Sequence, residues 1–299
     1  MKNLILSLLT LSSLTSIAQE KIFLYPSTEK VTIDGFEKDK EPPFFHYFKA
    51  LPDSANRSAI LICPGGGYAN LADQHEGNDI ARYFNNLGYD AFVLHYRLNN
   101  KDQQGHNYPA QYNDVTTAMR IIKSRAKEWK LDPDRIGVIG FSAGGHLAST
   151  LGTMIKPGDK KSKVVLEKFS TRPAFMILIY PVISMSTKYA HRGSRENLLG
   201  KNPELSLMDS LSTEKRVTSL TPPTFIVFSE DDNVVDVQNG VIFYQALKKE
   251  GVPASIHIYD HGGHGYGMAP KDPVLNTWPF LCSQWLKRLG FASRAKEVR

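Results

Sequence analysis

The sequence contains few cysteines and few long apolar runs. Two cysteines, Cys63 and Cys282, occur in 299 residues, which excludes a framework of several disulfides. Each lies in an apolar segment and has the character of a small buried residue, although one disulfide between them stays open as an alternative. After the first twenty residues, no apolar stretch is long enough to span a bilayer. The content of 41% hydrophobic and 22% charged residues is ordinary for a globular protein.

The sequence also lacks a strong charge of either sign. The net charge is +6, and the lysines are concentrated only between residues 156 and 168. No aromatic side chain interleaves with that run, as recognition of bases would require, so we interpret it as a solvated loop and expect no nucleic-acid partner. Internal repeats, low-complexity tracts and a domain linker are absent, which predicts a single domain.

The first eighteen residues have the pattern of a signal peptide. Lys2 precedes an apolar stretch, and the small residues Ser16 and Ala18 suit cleavage after Ala18. The stretch is too short for a permanent membrane span, and no cysteine follows that could carry a lipid. We therefore expect residues 1–18 to be removed and residues 19–299 to form one exported domain, either periplasmic or secreted.

Apolar strands alternate with amphipathic helices along the rest of the chain. After an antiparallel start at 21–26 and 30–33, the predicted strands are 58–63, 91–95, 136–139, 175–180, 224–228 and 255–259. The predicted helices are 77–87, 110–130, 145–151, 238–249 and 274–289, and 184–220 is expected to be polar and irregular. This alternation indicates an α/β protein with a mostly parallel central sheet and helices on both faces. Reactive side chains are then expected just beyond the carboxyl ends of strands.

Ser142 lies at the centre of a G-x-S-x-G pattern. Gly140 and Gly144 flank it, between an apolar strand and a helix-compatible segment. A serine on so tight a turn needs neighbours without side chains, and the following helix N-terminus favours developing negative charge. The pattern predicts that Ser142 is a nucleophile; the alternative is an ordinary capping serine on a glycine-rich turn.

Three consecutive glycines, Gly65–Gly67, follow the strand that ends at Cys63. Without Cβ atoms, their backbone N–H groups can approach a substrate oxygen closely. We expect an oxyanion hole formed by the N–H groups of Gly66, Gly67 and Ala143. Pro64 stands where such a loop usually carries a histidine, so any hydrogen bond made by that histidine is missing.

A carboxylate and a histidine follow the last two predicted strands. Asp232 is the preferred carboxylate, because its spacing from Val235 lets the chain turn while the side chain points toward the site. Glu230 and Asp231 are expected to cap that turn. His264 is the preferred base, because glycines on both sides permit a loop that reaches the serine.

Three histidines near this point, His257, His261 and His264, allow a metal site as an alternative. The order serine, aspartate, histidine, each after a successive strand, explains His264 without a metal. His257 is expected to be a side chain of the sheet. The sequence therefore predicts a Ser142–His264–Asp232 triad with neither a metal nor a cofactor.

The motifs GFSAGG, PGGGY, DDNVV and GGHGYG resemble those of the α/β-hydrolase fold. The whole pattern more closely resembles the exported esterases described as acetyl xylan esterase-like or BD-FAE-type. It includes HEG at 75–77, YRL at 96–98 and SRENLLG at 194–200, and it extends from about Ile60 to Leu289. The resemblance implies a serine carboxylesterase that removes acetyl groups from an acylated plant carbohydrate.

The residues on the substrate side are less clearly marked. Segment 184–216 lies where this fold commonly inserts a small cap. The alternative is an ordinary surface segment with no part in substrate binding. Tyr68 and Trp278 are candidate substrate contacts, His191 is a candidate for a sugar-facing rim, and His146 is expected to be structural. A feruloyl or general short-chain esterase, a peptidase or lipase of the same fold, and a non-catalytic carbohydrate-binding relative stay open, and the oligomeric state is not predicted.

Overall fold

The computed structural model describes residues 19–25, 42–51, 54–100 and 106–292. The predicted signal peptide and the predicted strand at 30–33 lie outside these residues. Eight strands form one sheet in the described part of the chain. They are β1 (Gln19–Phe23), β2 (Phe44–Phe48), β3 (Ala59–Cys63), β4 (Asp90–His95), β5 (Ile136–Phe141), β6 (Met176–Ile179), β7 (Thr224–Ser229) and β8 (Ala254–Tyr259).

The sheet is mostly parallel, as the alternation of elements predicts. Its strand order is β1-β2-β4-β3-β5-β6-β7-β8. All pairs from β4 onward are parallel, whereas β2 pairs antiparallel with both β1 and β4. Strand β2 was not predicted from the sequence, although its aromatic residues after Pro42 and Pro43 are typical of a strand. The parallel strands end at one edge, and the site is built there.

Helices cover both faces of the sheet. They are α1 (Asp79–Asn86), α2 (Ala110–Ser124), α3 (Ser142–Thr153), α4 (Arg192–Leu199), α5 (Leu205–Ser210), α6 (Gln238–Lys249) and α7 (Thr277–Arg288). One turn of π-helix, Gln74–Asn78, precedes α1. Helix α2 ends six residues earlier than predicted, at Ser124 rather than Lys130. The turns that follow bring Trp129 onto the sheet, where its ring centroid lies 5.1 Å from that of Phe92.

The segment between β6 and β7 was predicted to be irregular, but this prediction is wrong, because the segment contains helices α4 and α5. Helix α4 begins after His191, whose side chain accepts a hydrogen bond from the backbone N–H of Ser194. It ends at Gly200, which has a φ of +90°. A polar side chain before the first turn and a glycine after the last turn are ordinary helix boundaries, and both were present in the sequence.

Among the described residues, the interior combines an apolar core with a buried ion pair. The strands β3, β5, β6 and β7 are buried along their whole length. Arg97 and Asp114 are 1% and 0% exposed and lie 2.7 Å apart.

Cys63 and Cys282 are both buried and free, so the alternative of a disulfide between them is not observed. Within the described ranges, no helix combines the length and the apolar character needed to cross a membrane.

Candidate active site

Ser142 lies on a sharp turn between β5 and α3. Its φ of +51° is in the left-handed region, which strains any residue with a Cβ atom. A Cβ atom at Gly140 would lie 2.2 Å from the carbonyl oxygen of Gly144, and one at Gly144 would lie 2.1 Å from that of Cys63. The two flanking glycines therefore let α3 start directly against the end of β3.

The structure brings Ser142, His264 and Asp232 together from three loops. The Oγ atom of Ser142 lies 2.8 Å from Nε2 of His264, and Nδ1 of His264 lies 2.7 Å from Oδ2 of Asp232. In this chain of contacts, Nδ1 donates to the carboxylate and Nε2 accepts from the hydroxyl. The Asp232 side chain is fully buried and that of His264 is 16% exposed, so a substrate can reach the imidazole but not the carboxylate.

The two aspartates after β7 each hold part of the site. The Oδ1 atom of Asp232 accepts from the backbone N–H groups of Val234 and Val235, both at 2.9 Å. These bonds leave Oδ2 for the imidazole. Asp231 was expected to cap its own turn, but its Oδ1 instead accepts from the N–H of Gly263 at 2.8 Å. Because Gly263 precedes His264, Asp231 ties the turn after β7 to the histidine loop.

The glycine loop after β3 has free N–H groups next to the serine. Gly66 and Gly67 have φ angles of +126° and +66°, and a Cβ atom at Gly66 would lie 2.1 Å from the carbonyl oxygen of Asn70. Among the described residues, neither glycine N–H donates to a protein acceptor. The N–H of Ala143 lies in the first turn of α3, where helical N–H groups have no partner within the helix. All three can therefore donate to an oxyanion.

The carbonyl groups of the same loop are bound on the other side. Each carbonyl oxygen accepts one of these hydrogen bonds, at 2.7 to 3.0 Å. Gly65 O accepts from Ala72 N, Gly66 O from Asn70 N, Gly67 O from Asn197 Nδ2, Tyr68 O from Asn99 N, and Ala69 O from Asn100 Nδ2. These hydrogen bonds fix the orientation of each peptide plane. Among the described residues of this loop, the N–H groups of Gly66 and Gly67 consequently remain available to a ligand.

The two predicted substrate contacts lie in the interior instead. Tyr68 is 0% and Trp278 1% exposed, so neither side chain reaches a surface on which a sugar could lie. The hydroxyl of Tyr68 is 2.7 Å from Nδ1 of His146, and the indole N–H of Trp278 donates to the carbonyl oxygen of Gly267 at 3.0 Å. Both side chains support the loops of the site. The structural role expected for His146 is confirmed.

His191, just before α4, adds a second imidazole near the triad. Its Nδ1 lies 2.8 Å from the hydroxyl oxygen of Ser194. Burial and the neighbouring charge of His264 lower the pKa of His191, which keeps its ring neutral near pH 7. The segment between β6 and β7 therefore reaches the site through His191 and through Asn197.

The three histidines that suggested a metal have separate surroundings. His257 lies within β8, as expected. His261 lies between the carboxylates of Asp260 and Asp272, at 2.8 and 2.7 Å, while His264 belongs to the triad. Across the part of the chain that the structure describes, no group of three or more histidine, cysteine, aspartate or glutamate side chains is arranged to hold a metal ion.

Two polar residues of the site were not assigned a role by the sequence analysis. Glu76 and Tyr180 are both buried, and the Tyr180 hydroxyl donates to the Glu76 carboxylate at 2.9 Å. Glu76 belongs to the HEG motif, but nothing in the sequence showed that it contacts Tyr180, which is 104 residues away. Only the fold brings the two together.

Comparison with known proteins identifies the family. The model of the BD-FAE family matches residues 49–247. The chain belongs to the BD-FAE family. This BD-FAE chain has the α/β-hydrolase fold, and the fold and family expected from the sequence motifs are both confirmed.

Two curated relatives are much longer than this BD-FAE chain. An acetylxylan esterase from Xylanibacter ruminicola is 37% identical over 244 residues, which cover 80% of this chain and 46% of the relative. Endo-1,4-beta-xylanase B from Butyrivibrio fibrisolvens is 34% identical over 227 residues, which cover 76% of this chain and 35% of the relative. The chain thus spans less than half of either relative.

Solved structures match over almost the whole chain. An acetyl ester-xyloside bifunctional hydrolase from Caldicellulosiruptor lactoaceticus has a TM-score of 0.85 and 40% identity, covering 92% of this chain and 97% of that one. The carboxylesterase Cest-2923 from Lactobacillus plantarum has a TM-score of 0.73 and 22% identity, covering 94% of this chain and 100% of that one. The second likeness shows the fold alone.

Proposed function

We propose that this BD-FAE chain is an exported serine carboxylesterase that removes acetyl groups from plant polysaccharide fragments through an acyl-enzyme. The observation that carries the reaction type is the position of His264, with Nε2 2.8 Å from Ser142 Oγ and Nδ1 2.7 Å from Asp232 Oδ2. The substrate class is supported by the similarity to an acetylxylan esterase and to an acetyl ester-xyloside hydrolase.

In the first step, the hydroxyl of Ser142 attacks the carbonyl carbon of the ester, and Nε2 of His264 takes the hydroxyl proton. The carbonyl oxygen becomes an oxyanion, which the hole stabilises by preorganised hydrogen bonds. The donors are the N–H groups of Gly66, Gly67 and Ala143. When the bond between the carbonyl carbon and the sugar oxygen breaks, His264 gives the proton to that oxygen, which leaves as a sugar hydroxyl, and the acetyl group stays on Ser142.

In the second step, water replaces the sugar. His264 takes a proton from the water as its oxygen attacks the acyl carbon, and the same hole binds the second oxyanion. Breaking the acyl–oxygen bond releases acetic acid, and the proton on His264 returns to Ser142 Oγ. Asp232 holds the imidazole in one tautomer and stabilises its positive form in both steps.

Substitution of the nucleophile tests the reaction type. We expect Ser142→Ala to lower kcat for 4-nitrophenyl acetate by a factor of about 10⁴–10⁶, because no other hydroxyl is bonded to His264 in the described residues. An organophosphate should label the parent protein at Ser142, as shown by peptide mass spectrometry, and leave the variant unlabelled. Retention of more than about a tenth of the activity in the variant would contradict the assignment.

A panel of natural esters tests the substrate. We expect acetate release from acetylated xylan to exceed release from acetylated pectin and ferulate release from feruloylated arabinoxylan, each measured by chromatography at equal ester concentration. A chain that releases ferulate faster than acetate would be a feruloyl esterase, and one that cleaves peptides faster than both would be a peptidase. Either result contradicts the acetyl specificity.

The signal-peptide pattern supports export, and its test is independent of activity. The full-length chain, produced in a bacterium with an intact secretion pathway, should be recovered from the periplasm or the medium with Gln19 as its first residue. Mass spectrometry of the intact protein measures this. Recovery from the cytoplasm with residues 1–18 attached would contradict it.

A further inference from the structure

Glu76 is a buried carboxylate close to the triad that takes no part in the acyl-transfer steps described above. It lies in the π-helical turn Gln74–Asn78 and is 3% exposed. Turns of this kind are frequent at functional sites. A carboxylate at this depth needs hydrogen-bond donors that replace its lost hydration, and the positions of those donors indicate its role.

The two oxygens of Glu76 bind groups from different loops. Oε2 accepts from the N–H of Gly65 at 2.8 Å, and Oε1 accepts from the hydroxyl of Tyr180 at 2.9 Å. The Tyr180 oxygen in turn accepts from the N–H of Gly267 at 2.9 Å. One side chain thus connects the loop of the oxyanion glycines with the loop that carries His264.

Both ends of this connection touch the reacting groups. Gly65 packs so closely on the nucleophile that a Cβ atom at this position would lie 2.9 Å from Cβ of Ser142. At the other end, the ring centroid of Tyr180 lies 4.8 Å from that of His264. Loss of the carboxylate would therefore free the oxyanion loop to move relative to the serine, and the imidazole to move relative to both.

The neighbours of Glu76 favour its ionised form. Gly65 and Tyr180 are both donors, and a protonated carboxyl would need an acceptor in addition. Burial raises the pKa of Glu76 above the usual range of a glutamate, and these two hydrogen bonds and the charges of His75 and His264 offset part of that rise. A negative charge held here stabilises the positive imidazolium that forms on His264 during acyl transfer.

We propose that Glu76 is a positioning residue, whose ionised carboxylate holds the oxyanion loop and the histidine loop in place and stabilises the imidazolium of His264. The proposal rests on the proposed esterase function. It adds no covalent step, because Glu76 neither touches the substrate nor exchanges a proton with it.

Several groups lie next to His264, and a test of the Glu76 charge has to separate its effect on the pH profile from theirs. Asp232 binds its Nδ1 directly, the ring of Tyr180 packs against it, and His191 is close enough for the two charges to interact. A substitution at Glu76 leaves these three side chains in the protein. A change in the pH profile of that variant then reports the carboxylate at position 76.

Two variants test the charge and the hydrogen-bonded link. Glu76→Gln removes the charge, and its single amide oxygen can accept from only one of the two donors, Gly65 and Tyr180. Tyr180→Phe removes the link to Gly267 and keeps the carboxylate, so the acidic limb of the pH profile distinguishes the loss of charge from the loss of the link. For Glu76→Gln we expect kcat for 4-nitrophenyl acetate to fall by about tenfold or more, with KM changed less than about threefold. The acidic limb of kcat/KM should move down by about half a pH unit, because the imidazolium loses a negative neighbour.

Tyr180→Phe is expected to lower kcat without moving the acidic limb. The matched control is Glu128→Gln, the same change on an exposed residue that pairs with Arg125, which should keep the parent kinetics. Folded Glu76→Gln protein with the kcat and acidic limb of the parent would overturn the proposal, even if its melting temperature were lower. An equal shift of the limb in Tyr180→Phe would overturn the electrostatic role.

Folding and function are tested separately. If Glu76→Gln does not fold, an unchanged kcat in Tyr180→Phe still overturns the positioning role, and a lowered kcat supports it. Activity that survives Ser142→Ala would overturn the esterase mechanism together with this inference. Because Ser142→Ala is measured first, this failure is distinguished from a failure of the role proposed for Glu76 alone.

Discussion

His146 shows how a single residue of the nucleophile helix links the site to the stability of the protein. Its Nδ1 lies 2.7 Å from the hydroxyl of Tyr68, and its Nε2 lies 2.8 Å from the carbonyl oxygen of Leu211. The ring therefore joins α3 to the oxyanion loop and to the residue that follows α5. Burial lowers the pKa of His146 to about 4, so the folded protein holds this ring neutral.

This shift makes the stability depend on pH. The unfolded chain has a histidine pKa of about 6.5, so it binds the proton before the folded chain does as the pH falls. The contribution of His146 to stability is complete above about pH 6.5 and decreases between about pH 6.5 and 4, by at most about 1.4 kcal/mol per pH unit. Urea unfolding at several pH values measures this slope.

A His146→Gln variant separates the contribution of His146 to the pH dependence of stability from the contributions of other groups. Buried carboxylates such as Asp90 and Asp114, whose pKa is raised by burial, contribute a slope of the opposite sign in both proteins. We expect the variant to be less stable at pH 7.5 but to lose less stability than the parent on acidification to pH 4.5. If the free energy of unfolding changed equally with pH in the two proteins, the folded protein would not hold His146 neutral.

At the scale of elements, helix α4 is attached to the oxyanion loop. The amide Nδ2 of Asn197 donates to the carbonyl oxygen of Gly67 at 2.8 Å, and the backbone oxygen of Asn197 accepts from Nδ2 of Asn99 at 2.8 Å and of Asn107 at 2.9 Å. The helix thus fixes the peptide that follows Gly67. The predicted cap insertion at 184–216 contains this helix, and its part in substrate binding stays a prediction.

We expect Asn197→Asp to lower kcat for 4-nitrophenyl acetate by about tenfold, because a carboxylate cannot donate to Gly67 and repels its carbonyl oxygen. KM should change less, since the small substrate does not rely on α4 for binding. Steady-state kinetics measure both values. The control is Glu196→Gln, a change of charge at the adjacent residue, which pairs with exposed Arg192. Equal losses in the two variants would contradict a specific role for the Asn197 amide.

At the scale of the whole molecule, one buried ion pair joins the chain after β4 to α2. Nε and Nη2 of Arg97 both donate to Asp114, at 2.7 to 3.1 Å, and the backbone N–H of Arg97 donates to the same carboxylate at 2.9 Å. The hydroxyl of Tyr25, which follows β1, donates to it as well, at 3.0 Å. This pair therefore ties the antiparallel start of the sheet to its parallel part.

We expect Asp114→Ala to lower the free energy of unfolding by about 3–5 kcal/mol, because the buried guanidinium of Arg97 would lose the carboxylate to which its Nε and Nη2 donate. Chemical denaturation followed by tryptophan fluorescence measures the change. Glu128→Ala breaks an exposed pair with Arg125 and should leave the transition midpoint close to that of the parent. A loss of similar size in both variants would contradict the importance of burial.

Much of the fold follows from local patterns in the sequence. The runs ending at Cys63 and at Phe228 are apolar throughout, which indicates strands buried on both faces. The turn at Ser142 was predicted because glycines stand two residues before and after it, and the structure shows that Cβ atoms at both positions would collide with backbone oxygens. Two elements were not predicted although local signals for them were present: the aromatic residues of β2 and the boundary residues of α4, His191 and Gly200.

The amino-acid sequence by itself determined the parallel sheet, the turn at Ser142 and the loops on which the triad residues lie, because strand periodicity and glycine positions are local properties. Only the tertiary structure decided that Tyr68 and Trp278 are buried, that Asp231 binds the histidine loop, and that Glu76 meets Tyr180. These contacts join residues far apart in the chain. They depend on which elements the folded sheet brings side by side, and no short-range pattern carries that information.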